Sequence, residues 1–142
     1  MPKKIVLVSC VIKKRTIPSP ARDLYLSDWF TKAARYASQI TDEWYILSAK
    51  YGLVHPDQVI EPYNVTLKKM GKGTRQAWAA QVFDSLKPHL SPGDTIVFLA
   101  GQDYREFLFA LVTRLGCKTE IPMEWLRIGE QMQWLNQHLK GG

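Results

Sequence analysis

Three stretches of this 142-residue chain carry side chains able to do chemistry. The first is Ser9-Cys10, followed by Lys13, Lys14, Arg15 and Arg22. Neither the dinucleotide fingerprint G-x-G-x-x-G nor a P-loop is present, which speaks against a cradle for a mononucleotide phosphate. Flexible cations on a loop suit the phosphates of a nucleic-acid backbone, or else simply face solvent. Cys10 reads as a small hydrophobe that can line a substrate site. It does not read as a nucleophile, because no histidine lies near it in sequence to activate it.

The second stretch runs from Ser48-Ala49-Lys50-Tyr51-Gly52 through His55-Pro56-Asp57 to Glu61-Pro62-Tyr63. It offers a hydroxyl, an amine, two aromatic faces and carboxylates on what reads as a long irregular segment, and such segments are usually functional. Tyr51 and Tyr63 can stack on a base with Lys50 on a phosphate. The alternative is that both tyrosines anchor the loop and that Asp57 is a turn residue after proline. Lys68, Lys69 and Lys72 extend the set expected to touch a phosphate backbone. The third stretch is Gly101-Gln102-Asp103-Tyr104-Arg105. Asp103 either favours the helix start by its charge or positions a water, and the Gln102 amide can read a base edge.

These stretches need a frame to bring them together. Lys4–Cys10, Trp44–Ala49 and Thr95–Ala100 are apolar runs of strand length, and Lys118–Ile121 is a fourth, limited by Pro122. Ser27 caps a helix with Trp29, Phe30, Ala33 and Ala37 on one face. Thr74 opens another, carrying Trp78, Val82 and Leu86, and Pro88 ends it. Asp103–Leu115 is apolar at helical spacing and stops at Gly116. Ile128, Met132, Leu135 and Leu139 mark a last helical face. Strands that are apolar throughout and alternate with helices predict one three-layer α/β/α domain over 1–142, with a mostly parallel sheet of about four strands. In such sheets ligands sit at the carboxyl ends of the strands, where all three stretches fall.

Composition narrows the function. At 46% apolar and 23% charged the chain is neither disordered nor membrane-spanning. Two cysteines without C-x-x-C or H-E-x-x-H spacing predict neither a disulfide framework nor a metal site, and nothing calls for a cofactor. No secretory signal is evident, so the expected location is cytoplasmic and the expected state a monomer away from membranes. Residues 1–75 hold 13 Lys and Arg against 6 Asp and Glu, a charge of +7, whereas 76–142 hold 6 against 7. A basic half on a neutral scaffold predicts a polyanionic partner, DNA above all.

One combination of residues is familiar. Leu47-Ser48-Ala49-Lys50-Tyr51-Gly52-Leu53-Val54, then Pro56, Pro62-Tyr63, Leu67, Met70-Gly71, Trp78, Leu99-Ala100 and Asp103-Tyr104 resembles the YaaA superfamily over residues 46–108. That superfamily is linked to peroxide stress and DNA binding. The N-terminal part, Ser9-Cys10 to Lys13-Lys14 with Pro20–Ser27 and Phe30, departs from it. It looks like a compact branch of short bacterial and phage proteins of unknown function, some associated with modified bases in DNA. The architecture is also similar to that of uracil-DNA glycosylases. Their water-activating motif is incomplete here, since Gly101-Gln102-Asp103-Tyr104 follows a later strand and has no histidine after it.

The resemblance implies a DNA glycosylase that removes a modified or damaged base, for instance 5-hydroxymethyluracil. Asp57, Asp103 and Ser48 are the candidates for the chemistry. Cys10, Tyr25, Lys50, Tyr51, Tyr63, Gln102 and Tyr104 are those for holding the base. Lys13, Lys14, Arg15, Arg22, Lys68, Lys69 and Lys72 are those for the backbone. Two other readings stand beside it: a non-catalytic DNA- or RNA-binding stress or defence protein, and an enzyme acting on a small nucleoside or nucleotide.

Overall fold

The computed structural model describes residues 2–9 and 14–140. Its centre is strand β1 (Lys4–Ser9), in which every residue after Lys4 is buried. Two short elements follow, β2 (Ser19–Pro20) and the single turn α1 (Ala21–Leu24). Helix α2 (Asp28–Ile40) starts where expected, with Ser27 Oγ accepting from the Phe30 N–H. Next come β3 (Trp44–Ser48), β4 (Gly52–Val54) and β5 (Val59–Ile60). Helix α3 (Lys72–Leu86) is capped at Gly71, three residues before the threonine that marks its start in the sequence. Strand β6 (Thr95–Leu99), helix α4 (Gln102–Leu115), strand β7 (Lys118–Glu120) and helix α5 (Ile128–His138) complete the chain.

The main sheet has five strands in the order β4-β3-β1-β6-β7. All neighbours are parallel except β4, which turns back antiparallel on β3. The expected fourth strand is present as β7, and β4 makes the fifth. The segment after Lys50 is therefore less irregular than its glycines and prolines imply. Gly52 sits at φ +76°, a backbone that L side chains avoid, and it lets the chain reverse within a few residues of Ser48. Strands β2 and β5 pair separately as a small antiparallel ribbon.

Period-two alternation divides the sheet's side chains between two cores. Val6, Val8, Ile46, Val97 and Leu99 pack with Phe30, Ala33 and Ala37 of α2 and Leu135 of α5. Ile5, Leu7, Leu47, Ile96 and Phe98 pack with Trp78, Val82 and Leu86 of α3 and Leu108 and Val112 of α4. Both faces are covered, which is why the interiors of β1, β3 and β6 are apolar without alternation. The chain passes from β1 to β3 on one side and then returns to place β6 on the other side of β1. This reversal opens a crevice beyond the carboxyl ends of β1 and β6, with α2 on one face and α4 on the other.

Candidate functional site

A cleft of about 240 Å³ occupies that crevice. Ser9 at the end of β1 and Gly101, Asp103 and Tyr104 at the start of α4 line one part of it. Ser27, Trp29, Thr66, Lys68, Ile128 and Gln131 line the rest. Each is placed by a local rule. Ser9 is 6% exposed and is the last residue of a buried strand. Helix α4 has Gly101 as its cap with no side-chain cap bond, so Asp103 is in the first turn but is not spent on capping. It takes part in none of the ion pairs among the described residues. Tyr104 is buried and meets Trp78 edge to face at 5.6 Å, which fixes the helix start against α3. Lys68 comes from a 3-10 turn (Leu67–Lys69) opened by Thr66, whose Oγ1 accepts from the Lys68 N–H. Trp29 Nε1 donates to Gln131 Oε1 at 2.9 Å and ties α2 to α5 across the cleft floor.

A second gathering lies at the end of β3. The hydroxyls of Tyr25 and Tyr63 share a hydrogen bond of 2.6 Å. Tyr51 meets Tyr63 edge to face at 5.7 Å, and its hydroxyl donates to Glu61 O at 3.4 Å. The Lys14 ammonium stands 4.5 Å from the Tyr63 ring centre, and that of Lys50 5.2 Å from Tyr51. Three tyrosines and two lysines picked out as substrate contacts or backbone contacts thus form one aromatic and cationic cluster. Tyr25 is 2% exposed, so its ring is part of the core and its hydroxyl closes the cluster from beneath.

The other candidates fall elsewhere. Ser48 is fully buried and its Oγ accepts from the N–H groups of Lys50 and Tyr51, while its carbonyl accepts from Trp78 Nε1. It closes the β3–β4 turn rather than facing the cleft. Asp57 is exposed, pairs with Arg22 at 2.7 Å, and does not line the cleft. His55 Nδ1 accepts from the Asp57 N–H at 3.1 Å and His55 O from the Gln58 N–H at 3.0 Å, so Asp57 is the turn residue that its place after proline suggests. Arg15 and Arg22 border a separate hollow of about 340 Å³ beside Asp23 and Trp44. Lys69 and Lys72 are exposed at the entry to α3, close in sequence to Lys68. Gln102 opens α4 and lines the next groove along rather than the cleft. Cys10 and Lys13 lie outside the described residues.

Ser9 lies in the cleft, at the strand end where the sequence places its first stretch, whereas no sequence signal marks Trp29 or Gln131 as cleft residues. Trp29 read as one more apolar position of α2; only the Gln131 contact, distant in sequence, reveals its place. Among the described residues no three His, Cys, Asp or Glu side chains gather so as to hold a metal ion. Among them, too, no helix is long and apolar enough to cross a membrane.

The polar residues at the opposite edge are arranged differently. Asp94 is 2% exposed and accepts from the N–H groups of Lys3 at 3.0 Å and Ser91 at 2.9 Å. Burial alone would raise its pKa, but these donors and the Lys3 charge outweigh it and hold the carboxyl below the usual carboxylate range. Glu43 accepts from the Tyr45 hydroxyl at 2.8 Å and pairs with Lys3 at 3.1 Å. Burial first, and then Glu43, push the Tyr45 phenol well above its ordinary value.

Comparison with known proteins finds one family that spans nearly the whole chain. The model of a family of unknown function, DUF6884, matches residues 5–137. The chain belongs to that family. It is similar to the "Uncharacterized protein YfjM" of Bacillus subtilis (strain 168), with 33% identity over 122 residues, covering 78% of this chain and 77% of the relative. No solved structure matches.

Proposed function

We propose that this protein hydrolyses the N-glycosidic bond of a modified or damaged base in DNA, a modified pyrimidine such as 5-hydroxymethyluracil being the first substrate to try. The observation that carries this reading is the position of Asp103. It stands at the start of α4 in the cleft beyond β1 and β6, where the strand order reverses and where open α/β sheets hold their ligands. A carboxylate there serves the chemistry directly. As the C1′–N bond breaks, the bonding pair leaves with the base and positive charge develops on the sugar. The Asp103 anion offsets that charge and orients a water toward C1′. Water supplies the hydroxyl to the sugar and a proton to the base, giving free base and an abasic site. Ser9 and the Gly101 end of the helix offer polar contacts to a base turned out of the stack, and Lys68 suits the adjoining phosphate.

The Tyr51–Tyr63 and Lys50 cluster then supports the flanking nucleotides by stacking and charge. The motif resemblance to the YaaA superfamily fits this reading, because Leu99–Tyr104 and Leu47–Val54 are the segments that frame the two gatherings. A non-catalytic DNA- or RNA-binding module is the second reading. It is favoured by Ser48 and Asp57, two of the three candidates for chemistry, whose polar atoms are taken up by a turn and by Arg22.

The test is base release from labelled single and double strands. Each substrate carries one of uracil, 5-hydroxymethyluracil, 5-hydroxymethylcytosine, an oxidised purine or an alkylated purine, and abasic sites are revealed by hot alkali. The expected result is release of one base class by the wild type and none by Asp103→Asn. No release from any substrate, with salt-sensitive DNA binding intact, selects the binding module.

A further inference from the structure

Trp125 is the most exposed large apolar side chain among the described residues, at 91%. It also has φ +71° and is the one non-glycine residue among them on a left-handed backbone. For a bulky residue that conformation costs energy and persists only where the surroundings impose it. Here they do. The Glu124 N–H donates to Ile121 O and the Leu126 N–H to Met123 O, making two successive turns. Gln131 Nε2 holds Leu126 O at 2.9 Å, and Glu130 accepts from the Arg127 N–H at 3.0 Å. Met123 is buried beneath. The turn is therefore rigid, and it projects an indole into solvent.

What the indole borders gives it a use. Two grooves of about 340 and 430 Å³ adjoin it, sharing Gln102, Arg105, Ile121, Glu124 and Trp125 in their walls. The first also shares Trp29, Gly101 and Gln131 with the Asp103 cleft. One trough thus runs from Asp103 along the carboxyl edge of β6 and β7 to Trp125. Its charge decides which part of a polynucleotide enters. Glu106 and Glu124 line the far end, and Arg105 is already within 3.8 Å of Glu124. Phosphates are disfavoured on that floor, whereas a neutral aromatic ring is not. An indole face beside an amide that can meet a base edge fits an unpaired nucleobase.

We infer that Trp125 is a stacking platform for an unpaired base of single-stranded DNA, next to the nucleotide held at Asp103, with Gln102 contacting that base. This rests on the proposed nucleic-acid substrate but not on hydrolysis. It implies that the protein engages DNA with at least one base unstacked beside the target.

The test uses the full chain and a labelled single-stranded oligonucleotide of about 12 nucleotides, a length within the usual footprint of such grooves. Binding is read by fluorescence anisotropy at low salt for the wild type, Trp125→Ala, Trp125→Phe and Trp125→Gly. Glycine is the residue type this backbone prefers, so Trp125→Gly keeps the fold if alanine does not. Loss of one stacked base is expected to weaken binding by about 5- to 150-fold in the alanine and glycine variants. Phenylalanine restores most of the affinity. Oligonucleotide quenching of tryptophan emission is expected to shrink in both truncations. Truncations that bind within twofold of the wild type overturn the inference. So does a wild type that binds no oligonucleotide at low salt, which would give the trough to another class of partner. Weakened binding by the truncations with no base released by any form keeps the platform and removes the hydrolase.

Discussion

The two ends of the sheet use carboxylates in opposite ways. At the amino edge Asp94 is buried and accepts two backbone N–H groups, and Glu43 is shared between Tyr45 and Lys3. At the carboxyl edge Asp103 lines an open cleft, at a helix start that has no side-chain cap. A carboxylate that completes a hydrogen-bond network holds the fold together, and its removal leaves its donors without that partner. A carboxylate held at a cleft by its helix alone is available to something that enters. The contrast teaches that burial and saturation, rather than residue type, separate an acid that holds the fold from one left available at a cleft.

The largest effect on stability should come from breaking the amino edge. Asp94→Ala removes the charged acceptor of two part-buried bonds, from the N–H groups of Lys3 and Ser91, and is expected to cost about 3 kcal/mol. Thermal unfolding should show a midpoint lower by roughly 10 °C. Asp103→Asn should change stability by less than about 1 kcal/mol, the worth of a helix-dipole charge. Equal losses in the two variants would erase the contrast between the edges.

Ser48→Ala comes next. Its Oγ accepts from two turn N–H groups in a fully buried position, so about 1–2 kcal/mol should be lost. Base release per folded molecule should not change, and a specific loss of activity would return Ser48 to the chemistry.

Acid titration sharpens the same comparison. Because the Asp94 carboxyl is held lower in the folded than in the unfolded chain, its contribution is present above the unfolded value, about pH 4. It is lost as pH falls through the folded value. Urea midpoints measured downward from pH 5 should fall more steeply for the wild type than for Asp94→Asn, which lacks that contribution. Parallel curves would contradict it. The smallest effect belongs to Asp57→Asn, which breaks an exposed pair with Arg22. It should alter stability by less than about 0.5 kcal/mol and leave base release unchanged.

Much of the scaffold is legible in the residues themselves. β1, β3 and β6 show as unbroken apolar runs because both of their faces are buried, and α2 and α4 show through Ser27, Gly116 and their apolar periodicity. β4 escapes notice because Gly52-Leu53-Val54 is too short to carry a pattern, and its pairing depends on the turn that Ser48 closes. The pairing of Ser19-Pro20 with Val59-Ile60 is likewise tertiary, with a proline where a strand is not expected. The site is legible only in part. Asp57 and Asp103 both follow strands and look equivalent along the chain. Strand order, which brings β6 beside β1, puts only Asp103 in the crevice. Trp125 is hidden for another reason, since no local pattern announces a tryptophan on a left-handed backbone.

The central claim is that the Asp103 carboxylate performs chemistry on bound DNA. The most direct test is the single-turnover rate of base release by Asp103→Asn, measured against the wild type with the base that the substrate panel identifies and with oligonucleotide affinity followed in parallel. The expected rate is lower by about 10²–10⁴-fold, the usual worth of a positioned acid or base. A variant that releases the base at the wild-type rate would contradict it.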